Sequence, residues 1–288
     1  MKELLILSGK GGTGKTTIAA SLAVLLSGEK VLADADVDSA NFGLLLDGTL
    51  KAKEAFFSGW EPVKDQEKCT NCGICLEKCR FEAVREDFSF DLVACEGCGV
   101  CAWFCPEEAI SMEEKEIGSL CVSDTKYGPL VHAELYPGEE NSGKLVAAVK
   151  RKAHEVATEK GASLVLVDGS PGVGCPVIAS LSGAQAVLIV AEPTVSGEHD
   201  LERVAALLKH FRIPGYLVVN KADLNPEIAK KLLARKDLFT PLGEIPYDEA
   251  VFESLHAAKP LPEYANGPAT KALKEIAQKI EKILMKEG

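Results

Sequence analysis

Residues 9–17 read Gly-Lys-Gly-Gly-Thr-Gly-Lys-Thr-Thr and follow almost directly on the apolar run Leu4-Leu5-Ile6-Leu7. A short apolar run before a glycine-rich loop predicts a buried parallel strand, and Thr17 to Leu26 predicts the helix that follows. In such a unit the loop amides and the helix N-terminus together form an anion site suited to a phosphate chain. Gly9-x-Gly11-x-x-Gly14 alone also fits a dinucleotide fingerprint. Lys15-Thr16 decides against it, because a lysine reaching terminal phosphates and a hydroxyl for magnesium have no role in a nicotinamide site. Gly11, Gly12, Thr13, Gly14, Lys15, Thr16 and Thr17 are therefore the expected nucleotide-binding loop, with Thr16 on magnesium.

Eight of the ten cysteines form two C-x2-C-x2-C-x3-C runs, Cys69-Cys72-Cys75-Cys79 and Cys95-Cys98-Cys101-Cys105, the second followed by Pro106. This spacing suits two [4Fe-4S] cubanes, the fourth cysteine of each run serving the other run's cluster. Cys69, Cys72, Cys75 and Cys105 are then one ligand set, and Cys79, Cys95, Cys98 and Cys101 the other. Zinc is the first alternative, but its sites usually use two C-x2-C pairs per metal. Disulfides are the second. Met1-Lys2-Glu3 runs straight into the first strand with no signal-peptide pattern, so a cytoplasmic location with reduced thiols is expected.

The chain of 288 residues, 47% hydrophobic, has enough apolar residues for one large domain and a small one. Its net charge of −11 argues against a nucleic-acid partner, whose phosphates call for a basic surface. No apolar run approaches the roughly 20 residues that span a bilayer. Strand-like runs at Lys30 to Ala33, Ser163 to Val167, Ala186 to Val190 and Gly215 to Val219 alternate with helical stretches, as in a parallel sheet wound with helices. From about Gly59 to Glu116 the pattern breaks into short cysteine-rich pieces. The expected division is 1–58 with 117–288 as the nucleotide-binding domain and 59–116 as an inserted small α+β two-cluster ferredoxin domain. Helical character is expected to resume over Asn141 to Lys160. Near the end, Leu273, Ile276, Ile280, Ile283 and Leu284 share one helical face without Trp or Phe anchors, which favours packing on the sheet over membrane binding. The five histidines show no metal-ligand spacing and read as ordinary.

The loop Lys10-Gly11-Gly12-Thr13-Gly14-Lys15-Thr16-Thr17 resembles the deviant phosphate loop of the MinD/ParA/nitrogenase iron protein ATPases, and the subgroup with an inserted ferredoxin domain resembles the chain most closely. The resemblance implies a P-loop NTPase fold with a mostly parallel sheet flanked by helices, and a nucleotide-dependent homodimer. In that dimer Lys10 reaches the partner's phosphates, and hydrolysis depends on it together with Lys15 and Asp36. Asp34-Ala35-Asp36 matches the first switch, with Asp36 positioning a water. Asp168-Gly169-Ser170-Pro171-Gly172 matches the second, with Asp168 as an outer-sphere magnesium carboxylate. Asp38 either joins the first switch or caps the helix after it. Asn220 and the segment Pro246-Tyr247 correspond to the adenine-recognising pieces. Asn220-Lys221-Ala222-Asp223 also resembles a guanine motif, although the deviant loop favours ATP.

Cys175, seven residues after Asp168, matches in offset a cysteine that ligates a cluster shared across the nitrogenase iron protein dimer. It is a candidate interface thiol. A shared cluster needs a second cysteine from each subunit, and neither Cys121 nor the segment Glu140 to Lys144 supplies a convincing one. The main functional expectation is an ATPase that couples its nucleotide state to electron transfer through two [4Fe-4S] clusters to a redox partner. The alternatives are a maturation or carrier ATPase for iron–sulfur or metal cargo, acting on a maturation partner, and a positioning ATPase without redox chemistry.

Overall fold

The computed structural model describes residues 1–139 and 143–286. The chain divides into two compact units, one of Met1–Glu54, Leu120–Glu134 and Glu140–Gly288, the other of Ala55–Ser119 and Leu135–Glu139. Glu140 and Asn141, cited above for a missing cysteine and a resumed helix, lie outside the described residues.

The chain begins with β1 (Lys2–Ser8), α1 (Lys15–Leu25), β2 (Lys30–Asp34), α2 (Phe42–Leu45) and β3 (Thr49–Lys64). Next come α3 (Ile74–Lys78), α4 (Val100–Trp103), β4 (Ile110–Thr125), β5 (Gly128–Leu135), α5 (Lys144–Lys160), β6 (Leu164–Pro171) and α6 (Cys175–Leu181). β7 (Ala186–Ala191), α7 (Val195–Phe211), β8 (Gly215–Asn220), α8 (Pro226–Leu233) and β9 (Thr240–Ile245) follow, and α9 (Glu249–His256), α10 (Leu261–Tyr264) and α11 (Pro268–Lys286) close the chain.

The sheet order is β3-β4-β5-β2-β6-β1-β7-β8-β9. Its centre is parallel, with β1 between β6 and β7, β2 beside β6, and β8 between β7 and β9. Strands covered on both faces need continuous apolar sequence, and β2 and β7 are buried at every position. The four strand runs expected from sequence are β2, β6, β7 and β8. Two 16-residue strands carry the chain into the cysteine-rich unit and out of it: β3 was not foreseen, nor was the part of β4 before Ile117. Those stretches are mostly charged and exposed and lack the apolar signal that betrays a central strand.

α1 starts two residues earlier than the expected Thr17, at Lys15, because Gly14 turns left-handed with φ 89°. Only glycine adopts this cheaply. At the other end of the chain, Leu273, Ile276, Ala277 and Ile280 of α11 are buried in the same core as Leu4, Ile6 and Leu22. Ile283 and Leu284 pack against that core, and Glu281 accepts from the Ser27 amide and hydroxyl. The terminal amphipathic face is therefore core. Among the described residues no helix is long and apolar enough to cross a membrane. Ile276→Ala should cost about 2–5 kcal/mol of stability, the range for emptying a buried aliphatic site. Chemical denaturation of the two proteins checks this, and a membrane-facing residue would show almost no effect.

Candidate functional site

Strand register brings four charged side chains together at the carboxyl edge of the sheet. Asp34 of β2 lies opposite Asp168 of β6, and Asp168 lies opposite Ile6 near the end of β1. Into this edge α1 projects Lys15, whose ammonium is 2.8 Å from Asp168 Oδ1 and 3.2 Å from Asp36 Oδ2, with the lysine side chain 5% exposed. Burial opposes the Lys15 charge, but Asp168, Asp36 and Asp34 outweigh it and hold the pKa above the ordinary lysine value. Burial also raises the Asp36 carboxyl, against the pull of Lys15.

Asp34 was not singled out by sequence reasoning. It accepts the backbone N–H of Asp36 at 3.1 Å and of Phe42 at 3.1 Å, so it braces the loop that carries Asp36. Burial and then the charge of Asp168 push its carboxyl well above the usual range, against those two donors and Lys15. The signal available in the sequence was the alternation Asp34-x-Asp36-x-Asp38 at the end of a buried strand. Asp38 itself lies inside the short 3-10 turn Val37–Ser39, and the residue before α2 is Asn41, so Asp38 does not cap that helix.

Among the described residues, two buried polar atoms near this centre have no hydrogen-bond partner: Asp168 Oδ2 and Thr13 Oγ1. A buried acceptor left unpaired costs stability unless a ligand satisfies it. A hydrated magnesium ion beside Asp168 and a phosphate oxygen beside Thr13 would do so. Thr16, half-buried at the second position of α1, offers the hydroxyl that sits on such an ion. The donor set fits magnesium.

Lys10 stands apart from Lys15. Its ammonium lies 3.5 Å from Glu192, 3.3 Å from Ser196 Oγ and 3.4 Å from Thr194 Oγ1, and a third of the side chain is exposed. The segment after β7 thus holds the start of the loop. It also packs tightly there, since a Cβ on Gly9 would meet Asp200 Cβ at 2.3 Å.

A cavity of about 240 Å³ adjoins the loop, lined by Gly12, Gly14, Thr17, Asn220, Pro246 and Tyr247 together with apolar residues such as Ile18 and Val251. The three residues expected to recognise a base are therefore brought to the phosphate loop. Asn220 already spends part of its amide: Nδ2 donates to the Thr13 carbonyl at 2.8 Å, and Oδ1 accepts from Lys221 N at 3.0 Å. The guanine-like motif is spent as well. Asp223 Oδ1 accepts the Tyr247 N–H at 2.6 Å, and Lys221 pairs with Glu192 at 2.6 Å. A guanine edge needs a carboxylate acceptor, and this one already anchors the base-side loop.

In the second unit, one cavity is lined by Cys69, Cys72, Cys75 and Cys105. The cysteine of the distant run joins the three of the first, as the cubane pairing requires. Cys95, Cys98 and Cys101 are likewise close enough for the charges of the first two to act on the third. Burial raises the Cys101 thiol to about 11 and raises Cys75 as well. Such thiols become ligands only when a metal displaces their protons. The two runs repeat in backbone as well as sequence. Each cysteine lies 26 residues from its counterpart (95 − 69), and the pairs Asn71 and Gly97, Gly73 and Gly99, Glu82 and Glu108 all have positive φ. All ten cysteines are free thiols. Four thiols lining one cavity are a donor set of the kind a cubane takes.

Cys175 is exposed at the first position of α6, directly after the loop that follows β6. Of the histidines expected to be ordinary, His132 departs from that reading, because ligand atoms of Cys121, His132 and Glu134 lie within 4.8 Å of one another.

Residues 4–261 match the family model described as the CobQ/CobB/MinD/ParA nucleotide binding domain. The chain belongs to that family. An uncharacterised protein of Methanocaldococcus jannaschii is 34% identical over 285 residues, covering 98% of this chain and 97% of that one. The iron-sulfur cluster carrier protein of Pyrococcus abyssi is 26% identical over 298 residues, covering 96% of this chain and 85% of that protein. The solved MinD of Pyrococcus horikoshii, complexed with Mg-ADP, has the same fold with a TM-score of 0.60 at 19% identity, covering 100% of this chain and 98% of that chain.

The chain is thus a MinD-like P-loop ATPase. For this ATPase, Asn220→Ala would release the Thr13 carbonyl and loosen the loop at its base side. With one hydrogen bond worth about 1 kcal/mol net, ADP affinity should fall roughly fivefold, measured by calorimetric titration. An unchanged affinity would show that the Asn220 bond does not hold the loop for binding.

Proposed function

We propose that this ATPase is a maturation or carrier factor for iron–sulfur or metal cargo, with two resident [4Fe-4S] clusters in its cysteine-rich unit. The observation that carries this reading is the likeness, over 96% of the chain, to an iron-sulfur cluster carrier protein. The converging cysteines support the resident clusters.

At the nucleotide site, Lys15 and the loop amides hold the phosphates, drawing the lysine's charge toward a third set of oxygens beyond Asp36 and Asp168. Thr16, Asp36 and Asp168 would hold magnesium, which would supply positive charge against that developing on the phosphates. Asp36 orients the attacking water, and Asn220, Pro246 and Tyr247 frame the adenine. Lys10 completes the neighbouring subunit's site in a nucleotide-dependent homodimer, so turnover requires two chains. Its present partners are a partly buried carboxylate at 3.5 Å and two hydroxyls at 3.4 and 3.3 Å, long contacts for which a phosphate competes. Cys175, exposed just after the second switch, is the thiol placed to handle cargo across the dimer. The resident clusters, held by Cys69, Cys72, Cys75 and Cys105 and by Cys79, Cys95, Cys98 and Cys101, supply one-electron chemistry when bound.

A second reading rests on those same eight cysteines: stable cubanes are suited to passing electrons, so nucleotide closure would time electron delivery to a redox partner. The location is cytoplasmic in either case, where thiols stay reduced.

Lys10→Ala should lower ATP turnover by at least roughly a hundredfold, the scale for losing a transition-state cation, while ADP binding is retained. Unchanged turnover would remove the two-chain site. The carrier and reductase readings separate in an anaerobic transfer assay with 55Fe-loaded protein and an apo-ferredoxin acceptor. The carrier account expects ATP-dependent movement of label to the acceptor, reduced in Cys175→Ser. Retention of about eight irons per chain, the content of two cubanes, with no transfer but an ATP-altered EPR signal would favour electron delivery instead.

A further inference from the structure

β4 and β5 form a hairpin closed by Lys126-Tyr127, with Thr125 Oγ1 donating to the Gly128 carbonyl at 2.7 Å. Counting four residues back from each side of this two-residue turn sets Cys121 opposite His132 on neighbouring strands, with Glu134 on the same face one alternation further along. The three side chains offer one thiol sulfur, one imidazole nitrogen and one carboxylate oxygen, all within 4.8 Å of one another. None of them belongs to the nucleotide centre or to the two cysteine runs.

We propose that Cys121, His132 and Glu134 bind a single borderline divalent transition ion, zinc first, with the fourth position open to water or an exogenous ligand. Sulfur, nitrogen and carboxylate donors are the three that zinc accepts, and three protein ligands with one open position is its pattern at reactive sites. Charge matches as well. On binding, the Cys121 thiol gives its proton to solvent, so one thiolate and one carboxylate neutralise the dication.

The surroundings supply what a ligand set needs. Cys121 is fully buried, His132 half-buried and Glu134 exposed, which gives a dry interior donor and an entry path from the Glu134 side. Ser123 Oγ is 3.0 Å from His132 Nε2. A hydroxyl accepts Nε2–H when Nδ1 takes the ion, the kind of outer-shell contact that orients a ligating imidazole. Glu134 now pairs with Lys53 at 2.7 Å, both side chains about half exposed. An exposed ion pair of this kind is weak and is readily exchanged for a dication. Lys53 is therefore the ion's competitor.

The test is equilibrium dialysis of the anaerobically purified, iron-loaded protein against zinc. Zinc and iron are measured in the same samples, and the zinc K-edge X-ray absorption spectrum is recorded. The proposal expects one tightly held zinc per chain with a single sulfur among its nearest neighbours. That zinc should be lost in Cys121→Ser and held at least roughly tenfold more weakly in His132→Gln and Glu134→Gln, taking as a lower bound the loss seen for outer-shell partners. Iron content and ATP turnover without added zinc should not change. Lys53→Ala should tighten zinc binding. Four sulfurs around the zinc would place it in the cysteine runs and overturn the proposal, as would binding that all three variants leave intact. Because Glu134 is exposed, Glu134→Gln remains informative if Cys121→Ser fails to fold.

Discussion

The buried ammonium of Lys15, held between Asp168 and Asp36 beside Asp34, is the interaction on which the rest of the nucleotide-binding unit depends. Two nearly buried carboxylates face each other across β2 and β6, an arrangement that is unfavourable without a cation between them. Lys15 supplies that cation from the first turn of α1. A single charge thereby ties α1 to β6 and to the loop after β2. The same charge is what a polyphosphate requires. A site built in this way links ligand binding to the loops at the sheet edge, because phosphate oxygens and carboxylates share one donor.

Much of this was legible in the sequence, for definite reasons. The phosphate loop has glycines at positions whose backbone only glycine takes easily, and the central strands are apolar on both faces. The cysteine runs announce a repeat that the backbone reproduces down to its left-handed residues. Three of the features that were missed depend on which residues the fold sets side by side. Asp34 looks like one of several acids until strand register sets it against Asp168. Asp223 resembles a base-reading residue until its carboxylate is found on the Tyr247 amide. His132 has no ligand spacing in sequence, since the spacing that matters runs across a hairpin. β3 and the charged first half of β4 escaped for another reason: strands with exposed, charged faces do not carry the apolar run that marks a buried one.

The two units divide the chemistry. One holds a nucleotide switch in which charge is the working quantity, and the other holds sulfur ligands whose protons must leave before they act. Burial raises the Cys75 and Cys101 thiols, so neither is a reactive nucleophile in its own right. Cys175 differs from these two in being exposed, at the first position of α6.

The most direct test of this account is a double-mutant cycle between Lys15 and Asp168, read as unfolding free energy in denaturant. Lys15→Ala alone should cost about 3–5 kcal/mol, as expected when a buried pair loses one partner. Adding Asp168→Asn to that variant should restore a substantial part of the loss, because it removes the stranded charge. Strictly additive effects, or a cost below about 1 kcal/mol as for an exposed pair, would contradict the claim that this charge holds the edge of the sheet together.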